Sequence, residues 1–366
     1  MESLTHSAVI FDSLEAAASI QEIDALIIGA GPVGLFQVFQ LGLHEIKTHV
    51  VDALPYAGGQ CMELYPDKPI YDIPALTVCT GRELTERLLQ QIAPFAATFH
   101  LNQLVKTVNR APDGRLLVVT DKGQQFLTKT LLIAAGVGAF VPRKLVVEGL
   151  DRFEGSQVFY EPRDHLQQLG PHPVILGDSE SALRAAIAIC DAQAASPNTP
   201  AVTVVHRRDS LSAEPETVDT FRRLCHSGAA RFLAGQITGM QDDGRLLSSL
   251  TIALPDGTAS ELICSTLAVY LGLSPKLGPI AEWGLDMDRR QVTVNPATFA
   301  TREPGIFAIG DVNTYPGKRK LILCGFHEAT LAAFEVAQQV FPHKTVALQY
   351  TTTSSKLHKV LGVLPS

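Results

Sequence analysis

The chain has 366 residues, 46% of them apolar and 18% charged, with a formal net charge of −7, a length that favours two or three domains with substantial cores. The acidic balance argues against a general nucleic-acid binder. No segment reaches the roughly eighteen apolar residues that a membrane span needs. The six cysteines, Cys61, Cys79, Cys190, Cys225, Cys264 and Cys324, are scattered without a C-x-x-C pair. In so long a chain they read as reduced thiols of the cytoplasm rather than as three disulfides.

In chain order, residues 1–22 carry no Lys or Arg and no sustained apolar core, so they read as an N-terminal extension rather than a secretory signal. Ala25-Leu26-Ile27-Ile28 reads as a short buried strand, followed by the turn Gly29-Ala30-Gly31-Pro32-Val33-Gly34 and an apolar helix. Gly29 permits the tight turn, Gly31 lets the backbone approach a pyrophosphate, and Gly34 lets helix pack on strand. The helix N-terminus offers unpaired N–H groups and a partial positive charge. A second strand, His49-Val50-Val51, ends in Asp52, where an acid accepts from ribose hydroxyls. A lone glycine motif is weak, but strand, glycines, helix, second strand and terminal acid together point to a dinucleotide site.

The glycine-rich loop Pro55–Cys61 follows, then Leu64–Ala75, rich in proline and tyrosine and read as a loop of defined shape. Thr80-Gly81-Arg82-Glu83 opens a helix through Ile92, and Gln103–Val108 and Arg115–Val119 read as strands about the turn Pro112-Asp113-Gly114. Leu131–Gly136 is another buried strand, followed by Phe140, and Pro142–Leu145 reads as a linker.

A second strand–turn–helix begins at Val174-Ile175-Leu176, with the turn Gly177-Asp178-Ser179-Glu180-Ser181-Ala182. Its second strand, Val202–Val205, runs into His206-Arg207-Arg208-Asp209, so arginines stand where the first unit has an acid. Two adjacent arginines are ordinarily a solvated loop. At this place in a dinucleotide fold they match a 2′-phosphate, which favours NADP(H) over NAD(H). Two such units in one chain point to a two-nucleotide flavoprotein. Gly305–Asp311 then reads as a buried strand returning to the first domain, His327–Val340 as a long helix, and Tyr350–Ser355 as a polar tail.

The glycine turn, Gly58–Ala75, Gly272–Pro279, Gly310-Asp311 and Tyr350–Gly362 resemble the ferredoxin–NADP reductases of the thioredoxin-reductase-like type, from near Asp24 to Val363. The resemblance implies an α/β protein of two Rossmann-like three-layer domains. An FAD-binding domain, residues 23–144 and 274–366, is interrupted by an NADP(H)-binding domain, residues 145–273. It implies a homodimer, FAD and NADPH as cofactors, and ferredoxin or flavodoxin as acceptor. Its FAD contacts fall on Val33, Asp52, Gln60, Tyr65, Val105, Phe140, Asp311 and Thr352, beside Gly29, Gly31 and Gly34, with Arg207 and Arg208 for NADPH. Tyr65 is similar to the residue stacked on the flavin ring and Tyr350 to the C-terminal residue closing its other face. These two are the candidates for tuning catalysis, and no metal site is expected.

Thioredoxin reductases carry a C-x-x-C before the second turn, whereas this chain reads Val158-Phe159-Tyr160-Glu161-Pro162, so dithiol chemistry is not expected. The family's second turn is Gly-Gly-Gly-Asp-Ser-Ala, and its next contact lies in Phe-Arg-Ala where this chain has Leu211-Ser212-Ala213. Losing one charge-assisted contact costs roughly 1.5–3 kcal/mol, about ten- to a hundredfold in affinity. Two further readings therefore stand beside the reductase: a flavoenzyme with another electron donor, and a flavin-binding protein without turnover. Lys318, Arg319 and Lys320 offer a basic patch for an acidic electron acceptor.

Overall fold

A computed structural model describes residues 19–162, 170–193, 202–346 and 350–363. The chain divides into two compact units, one made of residues 1–139 and 276–366 and the other of residues 140–275.

In the first unit β1 (Gln21–Ile28) leads through the glycine turn into α1 (Pro32–Leu43) and β2 (Thr48–Val51). The strand begins inside the segment read as an extension, because Gln21 and Glu22 pair with Phe126 and Leu127 through backbone alone. After α2 (Gln60–Leu64), α3 (Gly81–Ile92) starts at a capping box. Thr80 accepts the Glu83 N–H and the Glu83 carboxylate accepts the Thr80 N–H, satisfying two end donors reciprocally. The strands β3 (Thr98–His100), β4 (Val105–Arg110), β5 (Leu116–Thr120) and β6 (Gln125–Ile133) complete this segment.

The second unit contributes β7 (Val158–Tyr160), β8 (Pro173–Leu176), α4 (Glu180–Gln193), β9 (Val202–His206), α5 (Pro215–His226) and β10 (Ala230–Ala234). An antiparallel meander of β11 (Gln236–Asp242), β12 (Leu247–Ala253) and β13 (Ala259–Ile263) precedes β14 (Thr266–Val269). The central sheet runs β7–β14–β8–β9–β10 with every pairing parallel. Such a sheet needs both faces covered, and its strands read as unbroken apolar runs. Ile175 and Val204 pack with α4 and α5 on one side, and Val174, Leu176 and Val205 with Ile237, Leu250 and Ile252 of the meander on the other.

The chain returns to the first unit as β15 (Ile306–Ala308), α6 (Ile322–Val340) and α7 (Ser355–Val360). Its seven-stranded sheet runs β3–β2–β1–β6–β5–β4, and β15 pairs with the second half of β6 beyond the end of β5. Ala25 and Ile27 pack with α1, α3 and α6, while Leu26 and Ile28 pack with Ile280, Leu285 and Val292 on the other face. The third layer of each unit is thus built of strands, short 3-10 turns and irregular chain rather than α-helix. Helix α6 starts at Ile322, ahead of the expected His327.

Candidate functional site

The first glycine turn lies at the C-terminal edge of the parallel strands, where open α/β sheets bind ligands. Gly29 has φ +107°, and a Cβ there would sit 2.4 Å from the Ala134 carbonyl oxygen. A Cβ on Gly34 would lie 1.9 Å from the Gly29 oxygen, so only glycine brings helix and turn together. In front of Gly31 the space is open, with only the Gly59 Cα at 3.9 Å. The Gly58 N–H donates to the Ala30 oxygen at 2.8 Å, which holds the second glycine loop against the first. The first turn of α1 has Pro32 near its start, no side-chain cap and no acidic residue, leaving its N–H donors for an external anion.

Asp52 sits beside this mouth. Its Oδ2 accepts the Ala30 N–H at 2.6 Å and its Oδ1 the Leu54 N–H at 2.7 Å. Burial raises its pKa, against the two N–H groups that favour the charged form. The Gln103 N–H donates to the Asp52 carbonyl at 2.9 Å, which brings the start of β4, with buried Val105, next to the acid. Gln60 and Tyr65 are carried by α2 and its end, both half-buried. Cys61 Sγ donates to Tyr65 Oη at 3.6 Å, and burial raises both the thiol and the phenol, so each stays protonated at neutral pH. Buried Cys61 is therefore no activated thiolate.

The distant Gly310-Asp311 segment is brought to the same edge by β15, whose Ala308 pairs with Ile133 of β6. Val33 joins it to the glycine turn: a Cβ on Gly310 would meet Val33 Cγ1 at 3.4 Å, and one on Gly325 would meet Val33 Cγ2 at 2.3 Å. The Asp311 carboxyl is pushed up by burial, opposed by Lys318 and Lys320, and its charge in turn raises Tyr65. Gly29, Gly31, Val33, Gly34, Asp52, Gln60, Tyr65, Val105 and Asp311 are thus gathered within the first unit.

Other expected residues lie elsewhere. Phe140 is the first residue of the second unit. Tyr350 is 65% exposed, and Thr352 lies in the turn closed by the Thr353 and Ser354 N–H groups onto the Tyr350 oxygen. The helix that follows packs through buried Leu357 and the Lys356–Glu45 pair at 2.8 Å, beside a cavity of about 160 Å³ lined by His44, Phe334 and Phe341. That is the end of α1 opposite its glycine turn, about 18 Å along a 12-residue helix. Among the described residues, nothing links the Tyr350 turn to Tyr65 or Asp311. The basic patch also needs correction. Lys318 is only 7% exposed, with Nζ 2.5 Å from Glu328 Oε1 and 2.8 Å from the Gly310 oxygen, so it belongs to the interior; only Arg319 and Lys320 face solvent.

Residue types alone did not flag Glu328, which lies wholly buried. It accepts from the Gly310 N–H at 2.7 Å, Asn313 Nδ2 at 2.8 Å and Tyr315 Oη at 3.0 Å besides Lys318. Its one sequence signal is a glutamate among the apolar positions of a helix.

In the second unit Gly177 has φ +148°, with the Tyr270 oxygen 2.4 Å from where a Cβ would lie. Asp178 Oδ2 accepts from Ser212 Oγ at 2.7 Å, and His206 Nε2 lies 3.8 Å from the same oxygen. Arg207 and Arg208 are exposed at the end of β9, with no ion pair among the described residues. Among those residues no cluster of three or more His, Cys, Asp or Glu is placed to hold a metal, and no helix is long and apolar enough to cross a membrane.

The family model "Pyridine nucleotide-disulphide oxidoreductase" matches residues 23–338. A protein named ferredoxin–NADP reductase from Albidiferax ferrireducens is 57% identical over 93% of this chain and 96% of its own length. One named ferredoxin–NADP reductase 2 from Cupriavidus necator is 54% identical over 95% and 93% respectively. The crystal structure of Lactococcus lactis thioredoxin reductase covers 87% of this chain and 99% of its own at 22% identity and a TM-score of 0.53, a likeness of fold. With a family match over most of its length and relatives this similar from end to end, the chain belongs to the pyridine nucleotide-disulphide oxidoreductases, grouped with their ferredoxin–NADP reductases.

Proposed function

We propose that this protein is a ferredoxin–NADP reductase, taking electrons from NADPH through FAD to ferredoxin, with flavodoxin as an alternative acceptor. The observation that carries the reading is the uncapped start of α1, facing open space at Gly31 and flanked by Asp52, Tyr65 and Asp311. FAD, when bound there, supplies the change from two-electron to one-electron chemistry. The residues supply position. Free N–H groups of α1 orient the pyrophosphate, and Asp52 keeps two acceptor sites for ribose hydroxyls after taking the N–H groups of Ala30 and Leu54. Val105 lines the cofactor, Gln60 and Asp311 hold its polar groups, and protonated Tyr65 backs the ring.

Under this reading the split unit is the FAD domain and the inserted unit the NADP(H) domain, with Arg207 and Arg208 taking the 2′-phosphate. Tyr350 and Thr352, remote from the glycine turn of their own chain, serve the flavin of the partner in a homodimer. Arg319 and Lys320 steer an acidic acceptor, and the protein works in the cytoplasm. The measurement that tests the whole is anaerobic titration with NADPH, watching flavin absorbance, followed by ferredoxin-dependent cytochrome c reduction. Bleaching by NADPH with no electron delivery to ferredoxin or flavodoxin removes the acceptor assignment. A second reading, a flavoenzyme fed by another donor, is favoured by the carboxylate in the second turn, and predicts no bleaching by NADPH.

A further inference from the structure

The two turns repeat the same geometry. The Gly29 N–H donates to the Val51 oxygen at 2.8 Å and the Gly177 N–H to the Val205 oxygen at 3.0 Å. Ala30 therefore corresponds to Asp178, Gly31 to Ser179, and Asp52 to His206. In the first turn the acid stands outside, at the end of β2, and takes the Ala30 N–H. In the second the acid has moved into the turn itself. Its Oδ2 is held by Ser212 Oγ at 2.7 Å, its carbonyl accepts the Ser212 N–H at 2.8 Å, and His206 faces it at 3.8 Å. His206 Nδ1 lies 3.1 and 3.3 Å from the Arg208 and Ser210 oxygens and so donates to them, fixing the ring with Nε2 toward Asp178.

The rest of the mouth is also engaged from within. Ser179 Oγ accepts the Ala182 N–H at 3.4 Å, a donor of the kind that α1 leaves open. Glu180 accepts the Glu214 N–H at 2.9 Å and Thr217 Oγ1 at 2.8 Å, pinning the loop that carries Ser212. A pyrophosphate entering this mouth meets a fixed carboxylate of its own sign.

We propose that Asp178 is an internal competitor of the dinucleotide pyrophosphate, latched by Ser212, so that nucleotide recognition rests on the 2′-phosphate at Arg207 and Arg208. The inference depends on the second unit being the NADP(H) domain. It makes Asp178 and Ser212 the residues that set nucleotide affinity, with no part in reducing the flavin.

The test is calorimetric titration of the flavin-loaded protein with NADP⁺ and with adenosine 2′-monophosphate, which lacks the pyrophosphate. In the parent the two are expected to bind within a few-fold of each other. D178G and D178N are expected to tighten NADP⁺ tenfold or more and leave the monophosphate unchanged, so the latter doubles as the control for an intact domain. S212A, which frees the latch but keeps the charge, is expected to tighten NADP⁺ only a few-fold. If the monophosphate binds, is lost in R207A/R208A, and the ratio of the two ligands ignores both Asp178 substitutions, the latch is wrong and the NADP(H) assignment stands. If neither ligand binds any of these proteins, both fall.

Discussion

Lys318 Nζ lies 2.5 Å from Glu328 Oε1, with side-chain exposures of 7% and 0%, at the point where the Gly310-Asp311 loop meets α6. The lysine also donates to the Gly310 oxygen at 2.8 Å, while the glutamate takes the Gly310 N–H at 2.7 Å, so the pair grips both sides of one glycine. Removing one partner of such a pair leaves the other charge buried, at a cost of about 3–5 kcal/mol. E328A is therefore expected to lower the denaturation midpoint sharply and to shed FAD, because the loop holding Asp311 loses its anchor. The double variant K318M/E328L is expected to recover much of the stability. A double variant as unstable as the sum of the singles contradicts the pairing.

Gly31 and Gly34 differ in what a methyl group would meet. At Gly31 the added Cβ finds only the Gly59 Cα at 3.9 Å, whereas at Gly34 it strikes the Gly29 oxygen at 1.9 Å. G31A is expected to keep its thermal transition without flavin and to lose FAD affinity tenfold or more. G34A is expected to lose both. Flavin retention after dialysis, set beside the melting curve of each apoprotein, separates the two. Equal retention by G31A and the parent removes Gly31 from the pyrophosphate site.

Gln37 of α1 is fully buried, and among the described residues neither amide atom has a hydrogen-bond partner. An unsatisfied buried polar group costs about 1–3 kcal/mol. Gln37→Met keeps the length of the side chain and removes the amide, so it is expected to raise the melting temperature by a few degrees. A lower melting temperature indicates that the amide has a partner in the assembled holoenzyme.

Burial lowers the pKa of His44, His49 and His100, with Lys344 adding to the effect on His44 and His100 to that on His49. His49 Nδ1 and His100 Nε2 lie 3.0 Å apart, so one proton is shared between rings that resist a second. Below the ordinary histidine value of about 6.5 the unfolded chain binds protons that the native state refuses, and stability falls as pH drops through that point. Asp52 and Asp311, raised by burial, act in the opposite direction. The expected result is therefore a difference: from pH 7.5 to 5.5 the parent loses more melting temperature than H49Q/H100Q. Parallel curves refute the assignment.

The C-terminal arm is fastened to its own chain by Leu357 and the Lys356–Glu45 pair, while Tyr350 stays exposed. Truncation before Tyr350 is expected to speed flavin oxidation by oxygen and shift its spectrum, with the core still folded. Y350A with α7 retained is expected to do the same with less loss of stability. Oxidation rates equal to the parent's for both variants leave the arm no part at the flavin.

The sequence by itself determined what is local and periodic. The apolar run before Gly29, the glycine spacing, an acid closing the second strand and the box at Thr80 and Glu83 could each be read from its own short segment, although Asp52 takes the N–H of Ala30, 22 positions back. Tertiary structure decided what depends on how separate elements meet. Lys318 looks like one of three solvated cations until Glu328, ten positions on in α6, turns it inward. Helix α6 takes in Gly325, a poor helix former that hides the true start in the sequence, at the position where a Cβ would strike Val33. Asp178 and Ser212 are separate departures from a motif in the sequence, and only the folded chain, which brings them together across 34 positions, makes them one device.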